Sequence, residues 1–196
     1  MFAAALWSAD YSLLLASNNY SGVNLHGGTG KSVANSVGGF LPGDMMLKDA
    51  GATPEQIASH PHPFYTPIAT FDDEYTLEPV AYGLKFVGAL CGATLVRADL
   101  TSQIQATGVD ATAYAAKLPD GAISVVVLNK DPERDLQLTL DFGTDRSSVV
   151  ETEVLHAPAL DARETHITRE SNLGALKHGR HAAIVTHASA MRMTVR

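Results

Sequence analysis

The sequence predicts a mainly β fold with an α/β remnant, in which a C-terminal antiparallel β-sandwich follows the last helix-strand-helix elements of a (β/α)8 barrel. Within 121–143, a β-branched apolar run at Ile123–Leu128 is followed by a polar turn and by alternating leucines over 136–140. This pattern predicts a β-hairpin, and a hairpin needs further strands around it to be stable. Toward the C-terminus the apolar residues repeat with a period of two, so we assign 1–95 to the partial barrel and 96–196 to the sandwich.

The first element is an apolar helix over Phe2–Ser17. Its apolar surface extends around most of the circumference, so the helix needs cover from other parts of a protein. A signal peptide would carry a basic segment before the apolar run, and here Asp10 and Tyr11 interrupt it, so we predict no signal peptide and leave the compartment unknown. A short strand over Gly22–His26 with a glycine pair at its exit follows, the order of elements in one unit of an α/β barrel.

The next segment, 29–76, is rich in Gly, Pro, Ser and His and is predicted to form an ordered pocket loop. Loops of this length are usually functional or disordered, and its large apolar residues argue against disorder. The glycines near its start do not match a phosphate-binding loop, because that motif needs glycine where Leu25 stands, so we predict no cofactor. His60 and His62 with the aspartates at 72–73 lack the spacing of a metal site, so we predict no metal.

A second helix is predicted over Leu77–Leu90, with a proline in its first turn and Gly92 beyond its end. The predicted buried stripe consists of Val80, Leu84, Val87, Leu90 and Cys91. The single cysteine cannot form an internal disulfide, and an apolar helical setting predicts that Cys91 is a buried packing thiol.

The strands of the sandwich are predicted from the period-two pattern over 93–100, 110–117, 149–156, 166–169 and 188–196, in addition to the hairpin. The last of them is predicted to be half-buried and to close a sheet. Met191, Met193 and Val195 would form its buried face and the intervening Arg192 and Thr194 its solvent face.

Composition excludes several classes of function. With 14 Lys and Arg among 196 residues and a net charge of −7, the chain lacks the basic surface that nucleic acids or anionic membranes require. Its 45% hydrophobic and 18% charged residues are typical of a folded domain rather than of a disordered or membrane-spanning chain. An acidic ligand would need a locally basic site.

Five motifs occur in a characteristic order along the chain. They read F-A-A-A-L-W-S-A-D-Y at 2–11, S-G-V-N-L-H-G-G at 21–28, P-F-Y-T-P-I at 63–68, E-P-V-A-Y-G-L at 78–84 and V-V-V-L-N-K-D at 125–131. Each motif is weak alone, but their order resembles the C-terminal part of bacterial glycoside hydrolase family 79, the β-glucuronidase and heparanase-like enzymes.

The resemblance implies retaining hydrolysis of glycosidic bonds by two glutamates at the ends of barrel strands. In the family both glutamates precede the helix that begins here at Phe2, and Glu55, Glu74 and Glu78 lie in the loop or at a helix start. No catalytic residue is therefore assigned, and we expect the chain to be inactive alone.

The resemblance also implies part of a substrate pocket. Tyr65, beside Phe64, matches a tyrosine that holds a uronate carboxylate in similar enzymes; the alternative is that its ring and hydroxyl only anchor the loop. His26 and Gly27 are predicted as pocket wall. Asn24 shares the parity of His26 and is a candidate for the pocket or for a satisfied polar pair in the core.

Three interpretations of function follow. The first is a C-terminal fragment of a β-glucuronidase-like enzyme, whose partners would be a uronic acid glycoside and a missing N-terminal barrel portion, or a second copy bound through residues 1–17. The second is a non-catalytic carbohydrate-binding sandwich. The third is a structural accessory domain, which predicts no binding and an exposed apolar patch near Phe2, Leu6 and Trp7.

Overall fold

The computed structural model describes residues 2–25, 66–71, 74–97, 108–143 and 148–196. The helices are α1 Ala3–Ser17 and α2 Pro79–Gly88. The strands are β1 Ile68–Phe71, β2 Glu74–Leu77, β3 Thr94–Val96, β4 Ala111–Lys117, β5 Ile123–Asn129, β6 Leu136–Asp141, β7 Ser148–His156, β8 His166–Ala175, β9 Arg180–Val185 and β10 Ser189–Val195.

The strands form antiparallel sheets that pack in layers. A six-stranded sheet has the order β3-β4-β5-β10-β7-β8, β6 pairs with β9 in a second sheet, and β1 and β2 form a separate hairpin. On one face of the large sheet, α1 and α2 bury a core that includes Phe2, Leu6 and Phe86. On the other face, the β6-β9 ribbon buries a second core with Leu136 and Met193. The predicted mainly β class with an antiparallel sandwich is confirmed.

The two helices cross in close contact at Gly83. A Cβ atom at this position would lie 2.1 Å from the carbonyl oxygen of Ala5 and 2.2 Å from the Ser8 hydroxyl oxygen. The Ser8 hydroxyl also lies 3.1 Å from the carbonyl oxygen of Val80, to which it donates. The absence of a side chain at Gly83 therefore lets the two backbones approach.

The predicted buried stripe of α2 was partly wrong. Val80 and Phe86 are fully buried, whereas Leu84 and Val87 are only half-buried. Cys91 lies beyond the helix and is exposed, so it is not the packing thiol that was expected. The physical reason is the close crossing at Gly83, which turns the face of Val80, Gly83 and Phe86 toward α1 and the sheet.

The predicted hairpin of β5 and β6 does not form. β5 lies in the large sheet between β4 and β10, whereas β6 pairs with β9 in the facing ribbon. The connecting turn crosses between the two layers. In this turn the Asp131 carboxylate accepts hydrogen bonds from the backbone N–H groups of Glu133 and Arg134, at 3.1 and 2.9 Å. The Asn129 side-chain amide donates to the carbonyl oxygens of Arg134 and Val185, which ties the turn to the end of β9. Hydrogen bonds from the Arg134 side chain and from the backbone N–H groups of Glu133 and Arg134 hold the pKa of Asp131 well below its usual range.

The last strand, β10, is central rather than half-buried. It pairs with β5 on one side and β7 on the other, and all seven of its residues are buried. The predicted alternation holds, because Met191, Met193 and Val195 face the ribbon core. The predicted solvent face of β10 was wrong, because Arg192 and Thr194 are buried.

Two predicted segments near the first helix also differ. Residues 22–25 of the predicted strand Gly22–His26 have no regular secondary structure, and the end of the predicted pocket loop contains the β1-β2 hairpin.

The expected exposed patch at Phe2, Leu6 and Trp7 was wrong for Phe2 and Leu6, which are buried against the sheet, whereas Trp7 is partly exposed. None of the described helices is long and apolar enough to span a membrane.

The division of the chain at 95/96 remains a prediction. Both helices of the N-terminal part share a core with residues of the large sheet, and β3 spans the proposed boundary.

Candidate functional site

The predicted pocket residues His26, Gly27, Phe64 and Tyr65 lie outside the described residues. The described chain resumes directly after Tyr65, at Thr66, which is buried and donates its hydroxyl to the carbonyl oxygen of Ile68 at 2.8 Å. On the other side of the gap, Asn24 is exposed, so it does not form the satisfied core pair that was the alternative for it.

A buried glutamate lies beside the chain that leads to Tyr65. The backbone N–H of Glu78 donates to the carbonyl oxygen of Pro67 at 3.0 Å, and Pro67 is two residues after Tyr65 in the sequence. Its side chain is 0% exposed, at the N-terminal end of α2. We therefore take the corner formed by Thr66, Pro67 and Glu78 as the candidate functional site.

The electrostatics of this corner make Glu78 a weak acid. Its carboxylate pairs with the Arg163 guanidinium at 3.3 Å. Burial raises the pKa of Glu78, and the opposing effect of Arg163 does not cancel the increase. A carboxyl group whose pKa is shifted by burial and by a specific charged partner marks a candidate functional site. Sequence reasoning placed Glu78 only at a helix start; its position before a proline gave no indication that it would be buried.

The start of α1 is held at the same corner. The backbone N–H groups of Phe2 and Ala3 donate to the carbonyl oxygens of Ala162 and Leu160, at 2.8 and 2.9 Å. The loop that carries Arg163 thus fixes the position of α1 and of the Glu78 partner together. A rigid support of this kind is what a binding site needs, although Glu78 alone cannot perform two-carboxylate chemistry.

Asp10 fixes the middle of α1 to the large sheet. One carboxylate oxygen accepts hydrogen bonds from Thr112 and Tyr114 at 2.7 Å each, and the other lies 2.8 Å from the Lys130 ammonium. Burial and the Asp10 carboxylate raise the pKa of Tyr114, so its hydroxyl remains a neutral donor. Thr112 and Tyr114 lie on β4 and Lys130 directly follows β5, so this cluster fixes the helix to the sheet.

Two half-buried carboxylates lie on β7. Glu151 and Glu153 both accept from the Arg192 guanidinium, at 3.0 and 2.6 Å, and Arg169 contacts both from β8. Two carboxylates that share one guanidinium form an ion-pair network and are not arranged as a proton donor and a nucleophile. This network was not predicted, because the alternation of β10 assigned Arg192 to a solvent face.

No group of three or more potential metal ligands occurs among the residues the structure describes. The histidines at 60 and 62 and the aspartates at 72–73 lie outside that part of the chain.

No protein-family model matches the chain, and a search of curated proteins finds no similar sequence. Solved structures do match. The GH51 arabinofuranosidase from Xanthomonas axonopodis pv. citri is similar with a TM-score of 0.53 and 14% identity, over 67% of this chain and 29% of that one. The alpha-L-arabinofuranosidase from Thermotoga maritima is similar with a TM-score of 0.53 and 16% identity, over 67% of this chain and 32% of that one.

These similarities show the fold alone. The chain has a glycoside hydrolase-like fold and spans about a third of the length of the enzymes it matches. The predicted resemblance to glycoside hydrolases is therefore confirmed at the level of fold, and its assignment to family 79 remains a prediction.

Proposed function

We propose that the chain is the C-terminal part of a retaining β-glucuronidase-like glycoside hydrolase and that it does not hydrolyse glycosides alone. The observation that carries the proposal is the fold that two thirds of the chain shares with about a third of two arabinofuranosidases. The order of the five sequence motifs supports family 79 within this broader fold.

The arrangement of the described carboxylates supports the expected inactivity. Retaining hydrolysis needs two carboxyl groups about 5 Å apart, one acting as acid and one as nucleophile. Among the described residues, Glu78 is paired with Arg163, and Glu151 and Glu153 are both held by Arg192. None of these groups combines a proton donor with a free nucleophile.

The role proposed for the chain is to supply one wall of the uronate pocket. Tyr65 would donate its hydroxyl to the uronate carboxylate, with Phe64, His26 and Gly27 beside it, and Glu78 and the Thr66–Pro67 backbone would support this wall. Neutral donors can bind a carboxylate selectively without a strong ion pair.

The test combines turnover with binding. We expect the pure chain to release no product from an aryl β-glucuronide and to bind glucuronate saturably, as measured by calorimetry. Tyr65→Phe removes one hydrogen-bond donor to a charged group and should weaken binding by about tenfold. Turnover that persists after contaminating enzyme is excluded would contradict the proposed inactivity. Absence of binding would favour a structural accessory domain. Saturable binding that Tyr65→Phe leaves unchanged would contradict the proposed uronate pocket and would favour a carbohydrate-binding sandwich.

We further propose that the exposed face of α1 contacts the missing barrel portion, or a second copy of the chain when that portion is absent. This face consists of Trp7, Tyr11 and Leu14, which are 38%, 36% and 49% exposed, and the Trp7 and Tyr11 rings stack at 5.3 Å. Residues at this spacing share one side of a helix.

Sedimentation tests the proposed contact. At high concentration we expect a dimer that Leu14→Lys converts to a monomer. Leu77→Lys, on β2 at 59% exposure, is the matched control and should leave the dimer intact. A wild-type chain that remains monomeric would count against self-association.

A further inference from the structure

A cleft between α2 and the adjoining ends of β7 and β8 brings together side chains that can donate hydrogen bonds. Its volume is about 550 Å³, within the range of roughly 300–1,000 Å³ that is usual for small-molecule sites. Its described lining comes from α2, β7, β8 and the residue before β8, and consists of Tyr82, Lys85, His156, Thr165, His166, Ile167 and Thr168.

The charge of the cleft is opposite to that of the whole protein. The chain has a net charge of −7, yet no described residue that lines the cleft carries a carboxylate, and Lys85 contributes an ammonium group. Tyr82 and Lys85 are three residues apart on α2, so both lie on the side of the helix that faces the cleft. This is the locally basic site that an acidic ligand needs in an acidic protein.

The two histidines are placed opposite each other. His156 is the last residue of β7 and His166 the first of β8; they are register partners, and their ring centroids are 5.6 Å apart. Each neutral imidazole can donate one N–H, so the pair can present two donors to a ligand between the rings.

Thr165 provides unused hydrogen-bonding capacity at the wall of the cleft. The residue is 5% exposed, and its hydroxyl has no hydrogen-bond partner among the described residues. Burying a hydroxyl without a hydrogen-bond partner is unfavourable. A polar ligand that hydrogen-bonds to Thr165 would therefore remove this desolvation penalty.

We propose that this cleft binds the oxyanion group, a carboxylate or a sulfate, of a small molecule. Lys85 supplies the charge, and His156 and His166 supply two donors across the strand pair. Two imidazoles can also bind a transition metal, but the ammonium group and the lack of a carboxylate in the described lining favour an anion. The proposal does not depend on the proposed glycosidase origin.

The test is a titration of the full, isotope-labelled chain with sodium sulfate and, separately, sodium acetate, followed by amide NMR at constant ionic strength in a chloride background. We expect saturable shifts at residues 85, 156 and 165–168. The anion with the higher affinity distinguishes a tetrahedral sulfate from a planar carboxylate. Absence of saturable shifts in the cleft with both anions, or saturation with zinc chloride in their place, would overturn the proposal.

Variants separate the cleft from nonspecific charge. Lys85→Gln should weaken binding by about tenfold, because it removes a charge-assisted hydrogen bond, and the double variant His156→Gln with His166→Gln should abolish saturation. Lys117→Gln is the matched control: it removes the same charge from β4, which three strands separate from β8, and should retain wild-type affinity. An equal loss in Lys85→Gln and Lys117→Gln would refute a specific site.

Discussion

Replacing Gly83 with alanine is expected to lower the free energy of unfolding by about 2–3 kcal/mol, as an overpacked core does. The new Cβ atom would lie 2.1 Å from the Ala5 carbonyl oxygen and 2.2 Å from the Ser8 hydroxyl oxygen. Both are parts of α1, so the helices must separate, and the core they share with the large sheet must repack. Chemical denaturation followed by circular dichroism measures the change.

Gly88→Ala is the matched control, because Gly88 is the last residue of the same helix and a Cβ atom there would meet nothing within 4 Å. Alanine has the better helix propensity, so this variant should be neutral or more stable by up to about 1 kcal/mol. If Gly83→Ala is as stable as Gly88→Ala, the close crossing of α1 and α2 is wrong.

Replacing Arg192 with methionine is expected to cost about 3 kcal/mol, because it leaves two carboxylates without their shared buried partner. Arg192 is 5% exposed and lies 3.0 Å from Glu151 and 2.6 Å from Glu153. Arg169 cannot fully replace it, since its own side chain is mostly exposed. Equilibrium unfolding at pH 7 measures the loss.

Two further variants isolate the effect of the unpaired charge. Arg196→Met removes a guanidinium that pairs with Asp120 at the surface, and because solvent screens exposed pairs it should cost much less stability than Arg192→Met. Adding Glu151→Gln and Glu153→Gln to Arg192→Met should restore part of the lost stability, because the two half-buried negative charges are then gone. A triple variant that is no more stable than Arg192→Met would contradict this account of the network.

The class of the fold was predictable because it depends on local patterns. The β-branched run of β5 and the alternation of β10 identify strands from sequence alone. Which strands pair depends on contacts between distant residues, and here the Asn129 and Asp131 side chains carry the turn after β5 into the second layer. A short polar turn between two apolar strands is also typical of a hairpin, so the pattern could not distinguish the two outcomes.

Burial of charged residues was the least predictable feature. Arg192 was expected at a solvent face and Glu78 at a helix start, yet both are buried with ionic partners far away in the sequence. Such partners are visible only after folding. The predicted pocket residues came from the resemblance and not from periodicity. Glu78 is part of the candidate site because its backbone N–H donates to the Pro67 carbonyl oxygen.

The most direct test of the proposed origin is to read the DNA immediately upstream of the Met1 codon. We predict that it continues, in frame or after one frameshift, into a barrel segment with two glutamates at strand ends. An unrelated gene or a spacer bounded by stop codons would contradict the proposal, and binding or scaffolding would then become the leading function.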